Sequence, residues 1–357
     1  MGDARIDGRP VALEAAIAEA AHMLAASRLP VIAGLGTDIA GARAAVSLAV
    51  GIGGVVDHMH AAAVIRDLAV MRQAGAYLTT PSEARLRGDT LLLVGAGLIE
   101  AWPDLGCLFG TLGTPEAGAG ERRIFWLCPG KGTTDAAIKT VGRKADELPT
   151  LLAVLRAHIA GRPAGKIAKP VATLATALQA ARFGVAVWSA ASLGAPAIEM
   201  LFGLIDDLNA NTRFSGLPLA PGDNAHGVLQ ACGWLTGFPM RTAFGRGAPE
   251  HDPWRCDTTR LVDDGEADCA LWISAYRAAA PGWHRAVPQI VLAAQPGPGQ
   301  RVFIQVGRPA LDHDAVEHDM ASGMLVARAA RRANDLPSVA EMIARIAAAL
   351  PHAGLPC

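Results

Sequence analysis

The sequence lacks the cysteine spacing of a metal protein. Its six cysteines, Cys107, Cys128, Cys232, Cys256, Cys269 and Cys357, are scattered, and no two form a C-x-x-C pair. This excludes the usual motifs for iron–sulfur clusters and structural zinc. Long apolar runs are missing too: no stretch reaches the eighteen uninterrupted apolar residues expected of a membrane span. The opening residues, MGDARIDGRPVALEAAIAEAA, carry no apolar signal core, so a cytoplasmic protein with reduced thiols is expected. Charge is sparse. Only 18% of residues are charged, where about 25% is usual, and the net charge is −1. That balance gives no footing to nucleic acid as the main partner. What is abundant is apolar: 51% of the 357 residues are hydrophobic, enough for two domains. Such a chain is suited to hiding surface against other subunits, although alanine-rich composition also follows from genomic bias.

Apolar periodicity predicts a helix over residues 11–27, stopped by Pro30, and then a buried strand, VIAGLG. A second helix follows from TDIAGARAAVSLAVGIG, with Thr37 or Asp38 as its cap. GGVVDHM reads as a short strand and its exit, and AAVIRDLAVMRQAG as a helix ended by Gly75. Residues 82–88 form a short turn-helix, DTLLLVGAG and residues 123–128 are strands, and PTLLAVLRAHIAG is a helix ending near Gly161. Residues 1–160 therefore read as a Rossmann-like α/β domain. The stretch 161–170, GRPAGKIAKP, reads as a linker into a second α/β region, residues 161–357. That region has the helix VATLATALQAAR, the strand FGVAVWSA and the helix APAIEMLFGLIDDLNANT. A long irregular segment, residues 211–265, precedes strands at 269–275, 289–294 and 301–307. LPSVAEMIARIAAAL is an amphipathic C-terminal helix with Ser338 as cap.

Several constellations could carry chemistry. GLGTDIAG, with Gly34, Gly36 and Gly41, and VGAGLIE are glycine-rich turns after strands, where backbone donors can approach a phosphate. Neither has the dinucleotide fingerprint or the P-loop lysine, so plain tight turns are the better reading. Asp57, His58 and His60 offer oxygen and nitrogen ligands, but no further partner can be named nearby. LDHDAVEHD supplies Asp312, His313, Asp314, Glu317, His318 and Asp319; a helical conformation would set Asp314 one turn from His318 and His313 one turn from Glu317. A solvated or hydrogen-bonded cluster is favoured over a metal site at both places. In GDNAHGVLQACGWLTG, Cys232 is either a nucleophile or, more commonly, a small buried hydrophobe. Asn224, His226 and Trp234 better suit a rigid surface against a ligand or partner.

Four blocks carry a family resemblance: LPVIAGLGTDIAGARAAVSLA (29–49), GGVVDHM (53–59), NANTRFSGLPLAPGDNAHGVLQACGWLTGFPMRTAFGRGAPEHDP (209–253) and ADCALWISA (267–275). With them, nearly the whole chain resembles the B subunit of formylmethanofuran dehydrogenase. It is most similar to the B subunits of bacterial formyltransferase/hydrolase complexes. The resemblance implies a multi-domain α/β fold of the molybdopterin-oxidoreductase type, as in formate dehydrogenase and DMSO reductase, lacking the N-terminal iron–sulfur domain. Archaeal members hold a tungsten or molybdenum pterin and a [4Fe–4S] cluster. They place a metal-ligating cysteine, followed by a histidine, shortly after the segment matching VVDH. Here residues 59–66 read MHAAAVIR, with His60 but no cysteine, and the first cysteine of the chain is Cys107. A thiolate is a soft, strongly donating ligand that alanine and valine cannot replace. Gly34, Gly36, Asp38, Asp57, His58 and His60 are then expected to line a vestigial cofactor cleft.

The resemblance further implies a hetero-oligomer with an amidohydrolase-like A subunit, a β-helical C subunit and a formyltransferase D subunit. Such a complex moves a formyl group from formyltetrahydromethanopterin to methanofuran or methylofuran and releases formate during formaldehyde oxidation. In that arrangement this chain is a non-redox scaffold with no cofactor or catalytic residue, and zinc is expected in the partner hydrolase. Arg213, Arg241, Arg246 and Arg255, with Asn224, His226 and Trp234, are candidates for contacting other subunits or the carrier's polyglutamate tail. Arg241 and Arg246 flank Phe244 and are expected to form an exposed patch with it. The alternative is a catalytic B subunit carrying a tungsten or molybdenum pterin. A free-standing nucleotide-binding enzyme is a third and poorer reading.

Overall fold

The computed structural model describes residues 2–98, 105, 122–130, 138–163, 165–332 and 334–351. They form two compact units, and the chain passes between them more than once. The first contains the residues through Ala61, Gly222–His318 and those from Leu325 onward; the second contains Ala62–Pro221 and Asp319–Met324. This corrects the expected cut at residues 160/161. Strand Pro30–Gly36 pairs in parallel with Cys269–Ser274, so the N-terminal segment and the third quarter of the chain share one sheet. A boundary read from local composition has no access to such a pairing.

The first unit is built on a nine-stranded sheet. Its order is Glu250–His251, Thr242–Ala243, Val55–Val56, Pro30–Gly36, Cys269–Ser274, Gln289–Ala293, Val302–Gln305, Ala4–Ile6 and Arg9–Pro10. The ladders from Val55–Val56 through Val302–Gln305 are parallel, and both flanks are antiparallel. Pro30–Gly36 and Cys269–Ser274 are buried at every position, which explains their unbroken apolar runs: parallel strands covered on both faces have no polar side to alternate with. Helix Val339–Ala349 packs against both Leu13–Ala26 and Ile39–Ile52. Two expected caps form. Asp38 accepts from the Gly41 N–H at 2.9 Å, and Ser338 accepts from the Glu341 N–H at 3.1 Å.

The second unit is a five-stranded, fully parallel sheet in the order Ile138–Val141, Arg123–Leu127, Thr90–Val94, Gly184–Trp188 and Phe214–Pro218. Helices Leu148–Ile159, Lys169–Gln179 and Ala195–Asn209 bury their apolar faces in its core. Trp188 meets Phe202 edge-on at 5.5 Å and donates its indole N–H to Asp67 Oδ1 at 2.9 Å. No described helix is long and apolar enough to cross a membrane.

Two local expectations are corrected, and one hairpin is added. Residues 211–265 are not irregular: they contain strand Phe214–Pro218, helix Ala225–Thr236, strands Thr242–Ala243 and Glu250–His251, and helix Thr258–Asp263. Apart from the twelve-residue helix Ala225–Thr236, these elements are short and separated by glycine and proline, so periodicity does not accumulate along them. Residues 315–319 are a strand rather than a helix, paired with Met324–Arg328. The N-terminal hairpin Ala4–Ile6/Arg9–Pro10 turns on Asp7 and Gly8, both with positive φ (49° and 74°). An Asp-Gly pair at a two-residue turn is a strong hairpin signal. The stretches around Cys107 and Glu100 lie outside the described residues.

Gly184 stands opposite Phe214 in the parallel ladder, and a Cβ there would meet the Phe214 ring at 2.1 Å. Gly184→Ala is therefore expected to destabilise the second unit by about 1–3 kcal/mol through overpacking. The shift would be read by thermal and urea unfolding followed by circular dichroism.

Candidate functional site

The parallel ladder continues beyond the end of Val55–Val56. The Asp57 N–H donates to Ile32 O at 3.0 Å, and the Met59 N–H donates to Gly34 O at 2.9 Å. This lays residues 57–60 alongside Gly34–Gly36, at the carboxyl ends of the central strands. Gly34 has φ +80°, and a Cβ on it would lie 2.5 Å from Ile273 O. Glycine is required here by the neighbouring strand, where the register shifts between Trp272 and Ser274. A Cβ on Gly36 would approach Met59 Cε to 3.1 Å. Both glycines thus serve close packing, and Asp38 serves as a helix cap.

Asp223 gathers the polar side chains around them. Its carbonyl accepts from His58 Nε2 at 3.0 Å, while His58 Nδ1 accepts the His60 N–H at 3.0 Å. That pair of bonds assigns the Nε2–H tautomer to His58. Burial, with His60 nearby, pushes the His58 pKa down to about 4, so the ring is neutral. The Asp223 carboxylate lies 3.0 Å from His60 Nε2 and accepts from Arg277 Nε at 2.8 Å and Nη2 at 2.6 Å. Burial works to raise the Asp223 pKa, but the hydrogen bonds from His60 and Arg277 prevail and hold it at about 2. Arg277 Nη2 also reaches Met59 Sδ at 3.8 Å.

Asn224 bridges three segments. Its Nδ2 donates to Thr37 O at 2.9 Å and its Oδ1 accepts the His318 N–H at 2.9 Å. His226 packs edge-on against His318 at 5.2 Å, and burial lowers its pKa to about 4.

A second network lies under Asp57. Its carboxylate accepts the His58 N–H at 2.9 Å and both the N–H and the hydroxyl of Thr258, at 3.3 and 3.2 Å. Arg241 lies 3.5 Å from Asp57 and 2.7 Å from Asp257, and it donates to Pro253 O at 2.5 Å. Burial pushes the Asp57 carboxyl up to about 7, with Arg241 and Thr258 opposing.

The structure thus brings together Gly34, Gly36, Asp57, His58 and His60, and adds Asp223, Asn224 and Arg277 to them. It separates other candidates. Arg241 is 13% exposed and committed to internal carboxylates, and Phe244 is 5% exposed, so the expected exposed patch does not form. Arg246 is exposed and lies 3.3 Å from Glu250. Arg255 is exposed. Arg213, in the second unit, lies over the Phe183 ring at 5.3 Å and 3.9 Å from Glu83. Asp312 is buried by a structural role: it accepts from the Arg308 N–H at 2.7 Å and from Arg332 and Asn334. Trp234 is 69% exposed rather than in the core, and Leu235, Phe238 and Trp254 are exposed with it. Sequence reasoning missed Arg277 and Asp257, which have no motif around them; Asp223 lay within the GDNAHG block, but nothing local gave it a role.

No family model matches the chain. The chain is 36% identical over 320 residues to the Fhc B subunit of the formyltransferase/hydrolase complex of Methylorubrum extorquens, covering 85% of this chain and 84% of that one. It is 28% identical over 296 residues to the B subunit of tungsten-containing formylmethanofuran dehydrogenase 2 of Methanocaldococcus jannaschii, covering 78% of this chain and 66% of that one. Among solved structures, it matches a chain in the crystal structure of the formyltransferase/hydrolase complex from Methylorubrum extorquens in complex with methylofuran. The TM-score is 0.88 at 32% identity, over 97% of this chain and 98% of that chain.

The donor set does not fit a tungsten or molybdenum pterin. Residues 59–66 contain no cysteine. The described thiols, Cys128, Cys232, Cys256 and Cys269, are buried. Burial raises the pKa of all four, to about 11 for Cys128 and about 12 for Cys232 and Cys269. Cys232 is accordingly an apolar filler and not a nucleophile. No group of three or more His, Cys, Asp or Glu side chains among the described residues is arranged to hold a metal.

Neutral His58 makes stability depend on pH. Its folded pKa of about 4 lies below the ordinary 6.5, so the unfolded chain binds the extra proton between those values. The contribution is complete above pH 6.5 and is lost as pH falls toward 4. His58→Gln, which cannot titrate, is expected to shrink the stability difference between about pH 7.5 and about pH 4.5 by roughly 2–3 kcal/mol. Urea unfolding of both proteins at the two pH values measures it.

Proposed function

The chain belongs to the family of formyltransferase/hydrolase complex B subunits, and we propose that it is the non-redox scaffold of such a complex. Its fold is the molybdopterin-oxidoreductase-like α/β arrangement of that family. The observation that carries the proposal is the near end-to-end match to a chain taken from an assembled complex, at TM-score 0.88. The site agrees with it. In the stretch where the resemblance implies a metal-ligating thiolate, residues 59–66, this chain has no cysteine, and its His60 is held by Asp223 beside Arg277. The reading that competes, a tungsten-pterin catalyst, draws support from the archaeal similarity but needs a thiolate that residues 59–66 lack.

In this proposal the complex resides in the cytoplasm. It transfers formyl from formyltetrahydromethanopterin to methanofuran or methylofuran and releases formate. An amidohydrolase-like partner holds the zinc, and a β-helical partner and a formyltransferase complete the assembly. The exposed Trp234, Leu235, Phe238 and Trp254 suit an interface with these partners, since soluble chains seldom leave such groups bare. Arg213, Arg246 and Arg255 are the arginines left to meet a polyglutamate tail, and Arg241 is withdrawn because its charge is already matched internally.

Co-expression of a tagged chain with the three partner subunits tests the proposal. The four are expected to co-purify, and the double variant Trp234→Ala/Trp254→Ala is expected to lose partners while its circular dichroism spectrum is retained. A tagged chain that elutes alone under co-expression overturns the assembly.

Elemental analysis of the natively purified chain is expected to find no stoichiometric tungsten or molybdenum. One such atom per chain would instead establish the catalytic reading.

A further inference from the structure

The first unit carries a polar cleft that the scaffold role does not use. It has a volume of about 310 Å³ and is lined by Asp223, Asn224, Tyr276, Arg277, Arg308, Glu317 and His318. Its place follows from the topology. Pro30–Gly36 connects through helix Ile39–Ile52 to Val55–Val56 on one side, and Cys269–Ser274 is followed by Gln289–Ala293 on the other. The chain therefore leaves these two adjacent strands in opposite directions. The gap beyond their carboxyl ends is the crevice where open α/β sheets take ligands. Tyr276 and Arg277 follow directly on Cys269–Ser274, and Asn224 reaches Thr37 at the end of Pro30–Gly36.

Two acids and two arginines line the cleft, but both carboxylates have partners that leave Arg308 unmatched among the described residues. The Asp223 carboxylate is taken by Arg277 and His60. The Glu317 carboxylate accepts the Tyr276 hydroxyl at 2.7 Å and lies 3.6 Å from Arg328. Asn224 spends its side chain on Thr37 and His318. Arg308 uses its backbone N–H on Asp312, but its guanidinium has no hydrogen bond or ion pair among the described residues. Arg277 binds Asp223 through Nε and Nη2, which leaves its Nη1 edge open. A guanidinium presents donors in a planar fork matched to oxyanions.

We propose that this cleft binds a small oxyanion, a carboxylate or a phosphate, between Arg308 and the free edge of Arg277. The anion supplies the acceptor oxygens that the resident carboxylates, already bonded, do not. Arg308 contributes most of the selectivity for charge, and Arg277, fixed by Asp223, contributes the direction. This inference stands apart from the assembly reading, because it concerns groups within one unit of one chain.

Isothermal titration of the full-length chain with formate, glutarate and inorganic phosphate, each at low ionic strength, tests it. One-site binding is expected for at least one of the three. Binding is expected to weaken at least about tenfold in Arg308→Gln, to weaken with added salt, and to be unchanged in Arg28→Gln, which removes an equal charge from an exposed side chain elsewhere. Binding of formate and glutarate without phosphate identifies a carboxylate site; competition by phosphate identifies a phosphoryl site. The same affinity in Arg308→Gln as in the parent, with both unfolding at the same temperature, overturns the proposal. So does the absence of saturable binding by any of the three anions.

Discussion

Asp223 is the residue on which the first unit's polar architecture turns. Its backbone sits in the left-handed region at φ 56°, as does that of Asn224 at φ 58°. That turn aims the Asp223 carbonyl at His58 and its carboxylate at His60 and Arg277. It also lets Asn224 reach the strand end at Thr37 and the hairpin at His318. Segments distant in sequence are thus tied at one place, and each bond is short enough to matter in a poorly solvated site. A buried carboxylate without such partners would take up a proton; this one is held ionised by two donors.

The same arrangement commits most of the site's polar groups to one another. Residues 59–66 lack the metal-ligating thiolate that the family resemblance leads one to expect, and the four described thiols are buried with raised pKa values. General acid–base work near neutral pH needs a group that titrates there and can reach a substrate. Asp57 titrates near 7, but it is enclosed by Thr258, Arg241 and the His58 amide. Its shift reflects the cost of burial and is not tuned toward a ligand. What the chain leaves accessible lies elsewhere: the exposed aromatic residues on and after helix Ala225–Thr236, and the polar cleft beyond the carboxyl ends of the central strands.

Much of the fold could be read from residues alone. Strands such as Thr90–Val94 and Cys269–Ser274 announce themselves because a doubly covered parallel strand is apolar throughout. Caps at Asp38 and Ser338 follow from side chains acting within three residues. Short elements between residues 211 and 265 escape such a reading because two-residue strands carry no periodicity, and helix Ala225–Thr236 begins at Asn224, whose side chain is engaged elsewhere and does not cap it. The hairpin at Asp7 and Gly8 carries a local turn signal, but its strands are too short for periodicity to reveal them.

The sequence by itself determined the longer elements and the missing cysteine in residues 59–66, because each rests on residue types within a short window, and it pointed to the family through four separate blocks. Only the tertiary structure decided the two units, which depend on the pairing of strands more than two hundred residues apart in sequence. It also decided the roles of the arginines. Arg241, Arg246 and Arg277 look alike in sequence. One is neutralised among Asp57 and Asp257, one stands in solvent beside Glu250, and one anchors on Asp223 at the strand ends. What separates them is the distance to a carboxylate brought in by folding, and Coulomb energy depends on that distance and on the local dielectric, neither of which is written locally.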